Sequence, residues 1–219
     1  ASMGDVDVVL VHAPNLEREY IEKGVISQGK IFAYNYFIIL GPKDDPAQIR
    51  GLDPLSAMIK IYISGEKGLT KFISRGDNSG THQRELILWS KVNLTVKGHS
   101  WYIETGSGMA QTLLVSNEMR AYTISDIGTY LKLRNKLKEL SILVTNNSIL
   151  LNIYSAYIVA NSDKKTVAWE FIKYLLSEEC QELIERFGLE EHGEHMFYSA
   201  ISRVNELKVA WKELSKSDP

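Results

Sequence analysis

The residue types best suited to chemistry are concentrated in Ser74-Arg-Gly-Asp-Asn-Ser-Gly-Thr-His82, which follows the short apolar stretch Lys71-Phe-Ile73 and runs into Gln-Arg-Glu-Leu-Ile-Leu-Trp89. This pattern predicts a strand, a polar turn and a helix beginning near Ser79, Gly80 and Thr81. The first N–H groups of a helix have no partner inside it, and the helix dipole adds positive potential there. Such an end accepts anions, and Gly76 and Gly80 allow close approach of the backbone. Arg75 adds a permanent charge and a fork of donors. Donors therefore outnumber acceptors around the turn, which suits a ligand made only of acceptors. A plain cap by Ser79 or Asn78 explains the same residues. His82 stands where a capping box places Glu or Gln, so the box is absent and the Ser79 hydroxyl is expected to be freer for a ligand.

A second Gly-rich turn, Glu104-Thr-Gly-Ser-Gly-Met109, precedes another helical segment. It either presents Gly108 and Met109 amides to the same ligand or is a simple connection. Thr123, on the next strand, is a candidate hydroxyl donor. Asp126 is expected to cap the helix of Thr129 to Leu133, because an acceptor at an anion site would repel the ligand.

The string Ser74–His82, with Glu85 and Trp89 after it, resembles the signature of tungstate-binding proteins, the extracytoplasmic solute-binding components of ABC importers. The likeness continues through Gly4-Asp-Val-Asp-Val-Val-Leu-Val-His-Ala-Pro14, Trp101–Met109, Ala121–Asp126 and Asn152–Tyr157, and so covers roughly residues 4 to 200. It implies an α/β fold of the periplasmic-binding-protein type II. This has two lobes, each a central mixed sheet flanked by helices. The first lobe is then 1–34 with 155–219, lacking its N-terminal strand-helix-strand, and the second is 35–154. The ligand implied is tungstate or molybdate, held between the lobes, with an ABC permease as partner and no cofactor. Ser74, Arg75, Asn78, Ser79, Gly80 and Thr81, with Gly108, Met109 and Thr123, form the expected binding set. Arg75 supplies charge, Ser74, Ser79 and Thr81 supply donors, and Asp77 holds Arg75 or caps the turn. One departure stands out: the family carries a polar or basic residue after Asp126, and Ile127 replaces it here.

Other elements must hold these residues in place. Val6–Val11 reads as a mostly buried strand of a parallel sheet. Phe32–Leu40 is a strong strand ended by Gly41-Pro42, expected to cross between lobes, with Ile153–Val159 as the return. Asp53-Pro54 marks a helix start, Leu55–Ser64 its body and Gly65 its C-cap. A helix opened by Ser162 is expected to carry Val167, Phe171, Tyr174 and Leu175 on one face, and Ser177 opens another that Gly188 stops. Ile201, Val204, Leu207, Trp211 and Leu214 lie at helical spacing and are expected to dock on the first lobe. The missing start leaves Val6–Val11 as an open edge, which predicts cover by the Trp211 helix or self-association, and it predicts weak oxyanion binding.

The 219 residues, 44% apolar and 24% charged, are those of an ordinary globular chain, and a net charge of −2 carries no basic footprint for nucleic acid. No apolar run approaches a membrane span, and Ala-Ser-Met-Gly-Asp lacks the parts of a signal peptide, so an exported chain would be a processed or trimmed form. A cytosolic oxyanion-sensing regulatory domain of the same fold is the alternative. Cys180 excludes an internal disulfide. Glu191-His-Gly-Glu-His195 has metal-like spacing, but its Gly favours a surface loop. Gly76-Asp-Asn-Ser-Gly80 resembles the serine-protease Gly-Asp-Ser-Gly-Gly string. Asn78 breaks that match, and triad partners are normally distant in sequence, so no enzyme is expected.

Overall fold

The computed structural model describes residues 6–216, leaving Gly4 and Asp5 of the quoted likeness outside it. The chain divides into two compact units: residues up to Asn35 with those from Asn152 onward, and Tyr36–Leu151. It enters the first unit with β1 (Val8–Val11), α1 (Pro14–Glu22) and the start of β2 (Ile26–Pro42). The second unit carries the rest of β2, then α2 (Pro54–Glu66), β3 (Phe72–Ser74), α3 (Gly80–Lys91), β4 (Tyr102–Glu104), α4 (Met109–Glu118), β5 (Thr123–Asp126), α5 (Ile127–Leu133) and β6 (Leu140–Val144). The chain returns through β7 (Leu151–Val159) to α6 (Lys165–Leu175), α7 (Glu178–Arg186), α8 (Leu189–His192), β8 (Tyr198–Ser199) and α9 (Val204–Ser215).

In the second unit β2 pairs antiparallel with β5 and β6, while β3 and β4 run parallel, in register from Phe72↔Tyr102 to Ser74↔Glu104. A parallel bridge, Phe72↔Tyr122, joins β3 to the β5 edge. The unbroken apolar run of β2 is explained by burial on both faces. Phe37 and Ile39 enter one core with Met58, Ile61, Phe72 and Leu88, and Ile38 and Leu40 enter the other with Met109 and Leu113. Asp53 accepts from the Leu55 and Ser56 amides at 3.1 and 3.0 Å and caps α2, with Pro54 at its first position. Gly65 is not the C-cap. It lies inside α2, where the Trp101 ring occupies the space a Cβ would need, and Gly68 takes the left-handed conformation that ends the turn.

The first unit corrects three expectations. β1 is antiparallel to β7, and Leu10 is 49% exposed, so it is neither parallel nor mostly buried. α6 starts at Lys165 rather than Ser162; of the four residues expected on one face only Leu175 is buried, and Ala168 and Ile172 complete the inward stripe. Ala168, Ile172 and Leu175 pack on Ala156 and Ile158, while Val167 is 67% exposed and Phe171 and Tyr174 lie outside. Both stripes are apolar, so spacing alone does not choose between them. α9 packs on α1, which places the Trp211 helix on a helix rather than along the β1 strand.

Candidate functional site

β3 and β4 are adjacent parallel strands, and each ends in a turn that leads into a helix, α3 or α4. Parallel strands of one register deliver both helix N-termini to the same side of the sheet, outside the carboxyl ends of the strands. The turns are laced together. The Ser74 carbonyl accepts the Thr105 amide at 2.9 Å and the Thr105 hydroxyl at 3.2 Å, and the Thr105 and Thr112 hydroxyls are 2.9 Å apart. Gly76 has φ +62°, and an added Cβ would come within 2.8 Å of Glu104 Cβ, so the turns meet only with glycine there.

Within the first turn most polar groups are spoken for. Asp77 does both things expected of it: it pairs with Arg75 Nη2, and its Oδ1 accepts the Ser79 amide at 3.1 Å. Those bonds to Ser79 and Arg75 outweigh its partial burial and hold the carboxylate below its ordinary range. Ser79 Oγ accepts the His82 amide at 3.5 Å, and His82 Nδ1 accepts the Asn78 amide at 3.0 Å. His82 thus holds the amide of the residue before the cap, while the amide of the cap residue itself goes to Asp77, so the reciprocal pair of a capping box is not formed. The capping box is absent, as expected, and the Ser79 hydroxyl accepts one long bond while keeping its own proton to donate. Among the described residues the Gly80 and Thr81 amides of α3 make no hydrogen bond, nor do the Met109 and Ala110 amides of α4. Gly108 caps α4 without a side-chain bond, and the space where its Cβ would stand is open.

The nine predicted site residues sort into three groups. Arg75, Asn78, Ser79, Gly80 and Thr81 share the α3 turn, with Asn78 in the left-handed region at φ +57°. Gly108 and Met109 stand at the neighbouring helix start. Ser74 and Thr123 stand apart from both turns: their side chains are buried in the sheet. Ser74 Oγ accepts the Gly76 amide at 3.2 Å, and the Thr123 hydroxyl donates its one proton to the Ile73 carbonyl at 2.7 Å. A hydroxyl with its proton committed to a strand carbonyl cannot also donate to an anion. Asp126 accepts the Thr129 amide and hydroxyl at 2.8 and 2.7 Å and caps α5.

Beneath the turn lies Glu85, fully buried on α3. Its Oε1 accepts from the Tyr102 hydroxyl at 2.6 Å and from Trp89 Nε1 at 3.3 Å. Burial pushes its pKa up to about 7, against the pull of the hydrogen bonds from Tyr102, Ser74 and Trp89. Neighbouring Arg84, also buried, donates to the Ile149 and Leu151 carbonyls at 2.9 and 3.2 Å. The sequence alone assigns no site role to Glu85, Trp89 or His82. The signal that assigns the first two is the i,i+4 spacing of Glu85 and Trp89. The Glu191–His195 stretch forms no metal cluster among the described residues. α8 ends at left-handed Gly193, and His195 Nδ1 lies 2.8 Å from the Glu185 carbonyl.

Comparison with known proteins shows the family. Residues 2–179 match the family described as a PBP superfamily domain. The chain is 40% identical over 199 residues to a tungstate-binding protein, TupA, of Peptoclostridium acidaminophilum, covering 89% of this chain and 68% of that one. Among solved structures it is similar to the tungstate-binding protein TupA from Desulfovibrio alaskensis G20. That match has 36% identity, TM-score 0.75, and covers 89% of this chain and 79% of that one. It is likewise similar to the tungstate ABC transporter structure from Geobacter sulfurreducens, at 37% identity and TM-score 0.71, covering 84% and 78%.

Proposed function

We propose, from the premise that this chain belongs to the PBP superfamily and within it to the tungstate-binding proteins, that it captures a tetrahedral oxyanion for an ABC importer. Its role is to bind a solute; it belongs to a family of binding proteins rather than enzymes. The ligand we assign is tungstate, with molybdate as its close analogue. We place the chain outside the cytoplasm, handing its anion to the permease.

One observation carries this reading: two helix N-termini with unpaired amides stand at the ends of adjacent parallel strands, beside the Arg75 guanidinium. Tungstate and molybdate are dianions without a proton, so they only accept hydrogen bonds. Hydrogen phosphate carries an O–H that would face another donor, and an unpaired buried polar group costs about 1–3 kcal/mol. Sulfate accepts in the same way and must be rejected by size, since its bonds are shorter. Arg75 contributes charge and orientation, held in line by Asp77. Removing a charge-assisted hydrogen bond of this kind weakens binding on the order of tenfold to a hundredfold. Titration calorimetry with tungstate, molybdate, sulfate and phosphate tests the reading, the first two being expected to bind far more tightly. Absence of tungstate binding, or an Arg75→Ala variant that binds as well as the unaltered chain, would count against it.

A further inference from the structure

We infer that His82 is a further member of the oxyanion site, a donor-only imidazole whose Nε2–H is reserved for the ligand and whose tautomer is set by the main chain of its own turn. This rests on reading the turn as an oxyanion site. Nδ1 accepts the Asn78 amide at 3.0 Å, which takes up its lone pair, so the neutral ring carries its proton on Nε2. That Nε2 is buried and makes no hydrogen bond, and the residue as a whole is only 6% exposed. A buried donor without an acceptor is costly and uncommon, which marks the position as one awaiting a partner.

The surroundings narrow what that partner is. The groups acting electrostatically on the ring are Glu104 at the end of β4, Asp77 and Arg75 in the turn, and Lys97 in the loop between α3 and β4. None of them bonds Nε2. Arg75 Nε is likewise buried without a partner, so two orphaned side-chain donors belong to this turn and the twelve-residue helix that it opens, whose first amides are free. A group made only of acceptors answers all of them together. Burial holds the ring below its ordinary pKa, against the pull of Glu104 and Asp77, which keeps it neutral and the Asn78 bond intact. The ring cannot turn to offer an acceptor, because Nδ1 would have to abandon the Asn78 amide. His82 therefore favours fully deprotonated oxyanions over hydrogen phosphate.

The test combines calorimetry of tungstate, molybdate and phosphate on the unaltered chain, His82→Ala and His82→Gln with long-range proton–nitrogen NMR of the imidazole. The expected spectrum is that of the Nε2-protonated tautomer, with a resonance that moves on adding tungstate. His82→Ala should weaken tungstate by roughly tenfold or more and narrow its margin over phosphate. His82→Gln, which keeps an N–H donor, should recover part of the loss. Tungstate binding that leaves the ring signals unmoved, a ring protonated on Nδ1, or unchanged affinity in His82→Ala would overturn the inference while leaving the oxyanion reading in place. An unaltered chain that takes none of the three anions would end both. Should His82→Ala fail to fold, the Gln variant and the spectrum of the unaltered chain still decide.

Discussion

In the first unit the carboxylate of Glu17 is buried and its Oε2 accepts from the Tyr157 hydroxyl at 2.8 Å and from Trp211 Nε1 at 2.7 Å, with Ser155 alongside. In the second, Glu85 Oε1 accepts from Tyr102 and Trp89, with Ser74 alongside. The chemical parts match: a glutamate, a tyrosine, a tryptophan and a serine. Their connections differ. Trp211 comes from α9, 194 residues beyond Glu17, so that cluster fastens the C-terminal helix to α1. Trp89 lies one helical turn from Glu85, and Ser74 Oγ holds the Gly76 amide, so the second cluster sits under the candidate anion turn. Similar local chemistry thus serves as a fastener in one place and as a foundation in the other. Position in the fold decides which.

Deleting each carboxylate should separate the two roles most sharply. Glu85→Ala leaves the Tyr102 hydroxyl and Trp89 Nε1 buried and unpaired, an expected loss of about 3–5 kcal/mol in urea unfolding, together with oxyanion affinity. Glu17→Ala should cost less, about 2 kcal/mol, because Trp211 is only partly buried and can find water, and it should leave oxyanion affinity unchanged. Equal losses of affinity in both variants would dissolve the distinction.

The pH dependence comes next in size. Glu85 titrates near 7 when folded and at 4.5 otherwise, so the folded chain holds its proton longer, and its contribution to stability falls as pH rises from about 5 through 7. Glu85→Gln should remove that decline from unfolding curves recorded between pH 5 and 8. Glu17 is raised by burial too, so Glu17→Gln should flatten the curve in the same direction. His82 has the opposite sign: its folded pKa is lowered, so its contribution is complete above 6.5 and is lost as pH falls below that. His82→Gln should therefore remove a loss on the acid side. A decline of undiminished size in Glu85→Gln would assign that titration elsewhere.

The smallest effect is expected from Trp211→Phe, which keeps the ring and removes one hydrogen bond, at a cost of about 1 kcal/mol. Its signature is location rather than size: amide exchange should rise along α9 and leave α3 as it was. Faster exchange at the start of α3 would show that the two clusters are not independent.

Much of the second unit was legible in its sequence because its cues are local. Asp53-Pro54, Asp126 and the Gly80 helix start declare themselves through hydrogen bonds spanning two or three residues, and the apolar run of β2 announces a strand covered on both faces. The errors arose where two local readings were equally good. Val167, Phe171 and Tyr174 are as regular a stripe as Ala168, Ile172 and Leu175, and only packing on β7 selects the second. Gly65 suits a helix end as well as it suits a neighbouring indole, and Trp101 lies 36 positions away in the chain. His82 takes the Asn78 amide, one residue before the cap, a contact that lies outside the usual capping patterns and so is not announced by spacing.

By itself the sequence determined that a donor-rich turn between Phe72 and Trp89 opens a helix, and which family signature that turn resembles, since both are properties of contiguous residues. Only the tertiary structure decided which donors remain free. A hydroxyl or amide is spent or spare according to what the fold brings beside it. Ile73 and Thr123 meet across the sheet, as do Ser74 and Thr105, and the distances that commit their protons arise only when strands far apart in the chain are placed side by side.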